Sequence, residues 1–100
     1  MILTYSDTAD ALYINLKPEA VPTQGEEIDS ATLVDLDDAG ELVGIEVLHP
    51  AREWPLDAIA DRFFIPMEEL LQLRTLWNRS ENAPFPFIRT NGRRTLASTR

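Results

Sequence analysis

Apolar and polar residues alternate with a period of two through the first half of the chain and with a helical period after His49-Pro50, the pattern of half-buried strands followed by one-sided helices. Met1 to Tyr5 is the first expected strand. After the turn-prone Ser6-Asp7-Thr8, Ala11 to Leu16 sets Leu12, Ile14 and Leu16 on one face and Ala11, Tyr13 and Asn15 on the other. Lys17 to Gln24 carries two prolines and reads as a loop or ragged edge strand leading into Glu26-Glu27-Ile28. Ala31 to Leu36 and Leu42 to Leu48 are joined by Asp37-Asp38-Ala39-Gly40, a tight-turn composition in which Gly40 is free to take positive φ. Pairing Leu36 with Glu41 would set Val34 beside Val43 and Thr32 beside Ile45, giving the sheet one dry face. The opposite face would mix Tyr13, Asn15, Leu33, Asp35, Gly44 and Glu46, which is neither a core nor an ordinary solvated surface.

Pro55 suits the first turn of a short helix whose Leu56, Ile59, Ala60 and Phe63 share a side. Pro66 opens a second, running to about Asn78, with Glu68 and Glu69 where the helix dipole favours acids. Its apolar residues, Met67, Leu70, Leu71, Leu73, Leu76 and Trp77, cover an arc of about 220°, wider than packing on one side requires. The expected fold is α+β: a small antiparallel sheet of four or five strands beginning as a meander, then two helices packed on one face. One domain over residues 1–80 is expected, with the sheet at 1–48 and the helices at 55–79. Residues 81–100 read as a mobile tail with Pro84, Pro86, Asn91-Gly92 and four arginines. Phe87 to Thr90 and Arg93 to Leu96 nevertheless flank Asn91-Gly92 as the arms of a hairpin would, so binding could order them.

The net charge of -8 over 100 residues hides a division. Residues 1–73 hold sixteen acids against Lys17, Arg52 and Arg62, a balance of -13, whereas residues 74–100 hold Glu81 against six arginines, a balance of +5. An acidic body attracts basic partners and repels nucleic acid; the arginine-bearing end does the reverse. Absence of cysteine fits a reducing compartment, and acids at Asp7 and Asp10 interrupt any signal-peptide apolar region, so a cytoplasmic location without a membrane span is expected.

Little in the chain points to catalysis. The acidic hairpin imitates a calcium loop, with Asp35, Asp37, Gly40 and Glu46 in register, but Ala39 falls where a side-chain oxygen is needed. His49 is the only histidine and reads as structural at a strand end. Asp35 and Glu46 could do acid–base work only in an enclosing pocket that so small a body can hardly provide. The cadence from Ala58 to Leu71 imitates a helix-turn-helix, yet Glu68 and Glu69 would meet backbone phosphates. No catalytic residue, metal or cofactor is expected, and the chain is read as non-enzymatic.

Tyr5, Asp10-Ala11-Leu12-Tyr13-Ile14, Glu27-Ile28-Asp29, Val34-Asp35-Leu36-Asp37 with Gly40, and Leu42-Val43-Gly44-Ile45-Glu46-Val47-Leu48 together resemble the YuzE-like family of small bacterial proteins of unknown function. The resemblance covers residues 1–48 and implies a bacterial cytoplasmic protein with a small antiparallel sheet, some of whose relatives are suspected members of toxin and antitoxin pairs. It supplies no catalytic residues. The function expected is an antitoxin-like protein-binding module whose acidic body meets a basic protein encoded nearby. Its contact surface would be drawn from Tyr13, Leu33, Asp35, Glu46, Leu71 and Leu76, surfaces that a homodimer would also bury. The alternative is a nucleic-acid-binding regulator acting through Arg89, Arg93, Arg94 and Arg100.

Overall fold

In the computed structural model the backbone is described for residues 1–82, 87–90 and 93–96, and the side chains for residues 1–77. Nine elements follow in chain order: β1 (Ile2–Ser6), β2 (Ala11–Asn15), β3 (Gln24–Asp29), β4 (Thr32–Leu36), β5 (Leu42–Leu48), α1 (Leu56–Arg62), α2 (Met67–Asn82), β6 (Phe87–Thr90) and β7 (Arg93–Leu96). The strands form one antiparallel sheet ordered β3-β4-β5-β2-β1-β7-β6. β1 and β2 make a hairpin, and β3, β4 and β5 make a meander whose last strand docks against β2. Five strands are therefore in place before either helix begins.

The β4–β5 turn shows why the expected register is offset. Asp37 and Glu41 close a three-residue loop through an Asp37 N–H to Glu41 C=O bond of 2.9 Å, with Gly40 at φ +79° where only glycine is unstrained. Leu36 then faces Leu42, and an irregularity after Asp35 leaves Val43 as the extra residue, so Val34 pairs with Ile45 and Thr32 with Val47. The pairings of Val34 with Val43 and of Thr32 with Ile45 are corrected by two residues. An even offset preserves the faces, because side chains alternate with period two. The bulge carbonyl of Val43 is used at once, accepting the N–H groups of Leu16 at 2.8 Å and Lys17 at 3.2 Å.

Both helices lie on the dry face. Trp54, Leu56, Ile59, Ile65, Leu73 and Leu76 join Leu12, Ile14, Val34, Ile45 and Val47 in one buried cluster. Burying such side chains supplies roughly 1.5–3 kcal/mol each before entropy is charged against it. Two indoles tie the helical layer to the segment after β5: Trp54 Nε1–H donates to Pro50 C=O at 2.7 Å, and Trp77 Nε1–H to Arg52 C=O at 2.9 Å. Pro55 stands at the N-cap of α1, one residue outside the expected first turn. α2 continues past Asn78 to Asn82 and ends two residues before Pro84, whose ring cannot extend the hydrogen-bond ladder. Of the expected tail, Glu81 and Asn82 close α2, and the two hairpin arms are β6 and β7, with β7 on β1. The expected mobility of positions 83–86, 91, 92 and 97–100 lies outside the described residues.

Candidate functional site

The sheet face away from the helices carries Tyr13, Leu33, Asp35 and Glu46 together. Tyr13 on β2 reaches across Gly44 on β5 and donates its hydroxyl proton to Asp35 Oδ2 on β4 at 2.9 Å. Burial pushes the Tyr13 phenol well above its ordinary range, with the Asp35 hydrogen bond and the charges of Asp35 and Glu46 adding to the rise. Asp35 thus has a phenol for a partner, and Glu46 faces Tyr13 and Leu33 across the two neighbouring strands. Leu33 is exposed between the register positions of Glu27 and Glu46. A second copy set against this face would bring carboxylates toward carboxylates.

The helical layer has a different exposed surface. Of the arc on α2, Leu73 and Leu76 are buried and Leu70 and Trp77 half-buried, while Met67 and Leu71 remain 67% and 56% exposed. Leu76, expected as a contact residue, is therefore core, because it lies on the side of the arc that meets the sheet. Phe64, in the link between the helices, is 84% exposed, and it precedes the exposed Met67 and Leu71 at the three- and four-residue spacing that on a helix makes one row. Phe64 also borders a cleft of about 460 Å³ lined by Leu16, Lys17, Glu41, Leu42 and Phe63.

Charges around this surface are unequally committed. Lys17 pairs with Glu41 at 2.6 Å, Arg62 with Glu26, and Arg74 with Asp57. Asp61, Glu68 and Glu69 have no such partner among the described residues. An apolar row edged by uncommitted carboxylates is left.

A third cluster closes the end of the sheet where β1 turns into β2 and β5 ends. Asp10 Oδ1 accepts the Tyr5 hydroxyl, and Asp10 Oδ2 meets His49 Nδ1 at 3.0 Å. The backbone repeats the link, with His49 N–H donating to Asp10 C=O at 2.8 Å. Both residues hold left-handed φ, 49° at Asp10 and 52° at His49, a conformation that side chains disfavour. The Tyr5 hydrogen bond holds the Asp10 carboxyl below its ordinary value, burial opposes it, and His49 adds to the lowering. Sequence reading placed His49 at a strand end but missed its partner Asp10, which lies 39 positions upstream and meets it through the β2–β5 pairing, and the Tyr5 that holds Asp10 in turn.

The acidic hairpin is organised by its own backbone. Asp37 Oδ1 accepts the N–H groups of Ala39 and Glu41 at 2.9 Å each, and Lys17 holds Glu41. The side chains of Arg89, Arg93 and Arg94, and all of Arg100, lie outside the described residues.

With this geometry in place the chain can be set beside known proteins. Residues 2–49 match the family described as Protein of unknown function (DUF2283). The DUF2283 match spans β1 to β5 and ends on His49, so it takes in the open sheet face and the Tyr5–Asp10–His49 cluster and leaves out both helices. No curated protein and no solved structure matches the chain. No described helix is long and apolar enough to cross a membrane.

Proposed function

We propose that this protein is a non-enzymatic protein-binding module that takes a basic amphipathic segment of a partner on its helical layer. The observation that carries the reading is the row of Phe64, Met67 and Leu71, continuous through Phe64 with the cleft and edged by Asp61, Glu68 and Glu69. Apolar side chains left this bare on a small domain mark an interaction surface. Because Lys17, Arg62 and Arg74 are each held by a carboxylate of the chain, the uncommitted charges near the row, among the described residues, are acidic. Such a field draws in and orients a cationic partner. An antitoxin-like role, in which the partner is a basic protein encoded nearby, is the finer form of this proposal. It rests on the YuzE-like resemblance and on the charge balance of residues 1–73.

The test is titration of the full chain with a synthetic leucine–lysine amphipathic peptide, followed by backbone amide shifts. Shifts centred on residues 61–71, weakened by salt and lost in Met67→Glu/Leu71→Glu, are expected. Shifts spread over the acidic surface, or unchanged in that variant, would overturn the reading. Light scattering on the same samples decides the homodimer: a twofold contact through the row would give twice the 11.3 kDa chain mass and be lost in the same variant.

A further inference from the structure

We propose that the cleft between the end of β2, the β4–β5 turn and the link from α1 to α2 is an anchor pocket for a tryptophan side chain of the partner segment, with a lysine or arginine beside that tryptophan held by Glu69. The pocket rests on the docking surface proposed above and deepens it by naming the pair of side chains that the partner must carry.

The walls are fixed by the chain's own backbone. Leu16 and Lys17 leave β2 with both N–H groups on the Val43 carbonyl, at 2.8 and 3.2 Å. Asp37 Oδ1 accepts the N–H groups of Ala39 and Glu41, which sets the turn that brings Gly40 and Glu41 to the cleft. The helical wall is closed by Phe63 N–H on Ile59 C=O at 2.9 Å and by Leu70 N–H on Pro66 C=O at 3.0 Å. Walls already in place spare a ligand the cost of ordering them.

Size and lining select the anchor. The volume of about 460 Å³ falls among small-ligand sites, which span about 300–1,000 Å³, and the apolar walls include Leu16, Leu42, Phe63 and Pro66. An isobutyl group would leave much of that space empty, and an unfilled apolar space forfeits its contacts. An indole fills more of it and can keep its N–H at the polar rim.

Charge selects what stands beside the anchor. Glu69 is half-buried in the cleft lining and has neither an ion pair nor a hydrogen bond among the described residues. The first turn of α2 suits a carboxylate, but that holds equally for the exposed Glu68, and of the two it is Glu69 that lines the cleft. The cations of the lining are already matched: Lys17 is on Glu41 at 2.6 Å, and Arg62 is on Glu26 with its guanidinium 5.5 Å from the Phe63 ring centroid. A partner cation on Glu69 would make a charge-assisted bond next to the seated indole, and aromatic and cationic anchors of this kind carry most of the energy of an interface.

The full chain is titrated with the leucine–lysine peptide and with the same peptide in which one central leucine is replaced by tryptophan, and the methyl resonances of Leu16 and Leu42 are read beside the backbone amides. The tryptophan peptide is expected to bind about tenfold more tightly, as an anchoring aromatic should, and to move both methyl signals saturably. Glu69→Gln should weaken that binding by about tenfold, the effect of losing a charge-assisted hydrogen bond. Glu68→Gln, the same change of charge one residue away and outside the cleft, should weaken it much less. Equal losses in the two variants, each with a wild-type circular dichroism spectrum, overturn the pocket by leaving only a general field. Equal affinity for the two peptides, with the Leu16 and Leu42 methyls unmoved, overturns the pocket and leaves the docking surface standing. Neither peptide shifting residues 61–71 removes both. Free tryptamine moving the same methyls at the same concentration as the tryptophan peptide overturns the partner segment as occupant, since a small amine would then suffice.

Discussion

Tyr13 lies against the bare Cα of Gly44: a Cβ built on Gly44 would overlap the phenol hydroxyl and stand 2.5 Å from Cζ. Glycine is needed here for the close approach of a ring that must pass over β5 to reach Asp35. Gly44→Ala should push the ring aside, break the 2.9 Å bond to Asp35 and cost about 1–3 kcal/mol, the usual penalty of overfilling a packed site. In a Tyr13→Ala background most of that cost should vanish, leaving the tighter contact with the Ile14 carbonyl at 3.1 Å. A double-mutant cycle in urea measures this, and an equal cost in both backgrounds would refute the relationship.

Tyr13 also sets an alkaline limit on stability. Its folded pKa is raised, so the folded chain holds the phenolic proton more tightly than the unfolded chain does. The stabilisation is whole below the unfolded value of about 10 and is lost as pH rises from there through the folded value. The urea midpoint should therefore fall on the alkaline side of pH 10, and the fall should be shallower in Tyr13→Phe. Asp35→Ala removes the hydrogen bond and the nearer charge, so it should shrink the shift while leaving the part due to burial.

Arg52 joins three segments. Its guanidinium donates to Leu48 C=O at 3.1 Å, Ala31 C=O at 2.8 Å, Thr32 Oγ1 at 2.7 Å and Glu53 C=O at 2.8 Å. The Thr32 hydroxyl, fully buried, has its partner in this way. Arg52→Ala should destabilise by about 1–3 kcal/mol. Arg52→Lys should recover less than half of that, because a compact ammonium cannot span the fork. Thermal melts of the three proteins rank them, and full recovery by lysine would show that charge alone matters.

The sheet was legible because its residues alternate strictly. Leu12, Ile14 and Leu16, then Thr32, Val34 and Leu36, gave the dry face and, by exclusion, the company of Tyr13, Leu33, Asp35 and Glu46. The bulge at Val43 was not, since nothing local says which residue is to be left over. The link from Asp10 to His49 was illegible for a related reason: it depends on β5 returning to β2, a choice between topologies with similar local patterns. The width of the apolar arc on α2 announced surplus surface, but sequence could not say which edge of the arc would meet the sheet.

Leu71 and Leu76 separate those two edges. Both belong to the same arc, yet Leu76 is 5% exposed within the core cluster and Leu71 is 56% exposed, and Phe64 and Met67 are bare as well. Leu76→Ala should cost about 2–5 kcal/mol by leaving a cavity between α2 and the sheet. Leu71→Ala should change stability by no more than about 0.5 kcal/mol, as surface substitutions do. Urea denaturation of the two single variants reads both values. Roughly equal costs would mean that α2 is rotated about its axis from the orientation described, with Leu71 turned toward the sheet. The apolar row would then no longer exist as a surface, and the basic partner proposed for it would lose its seat.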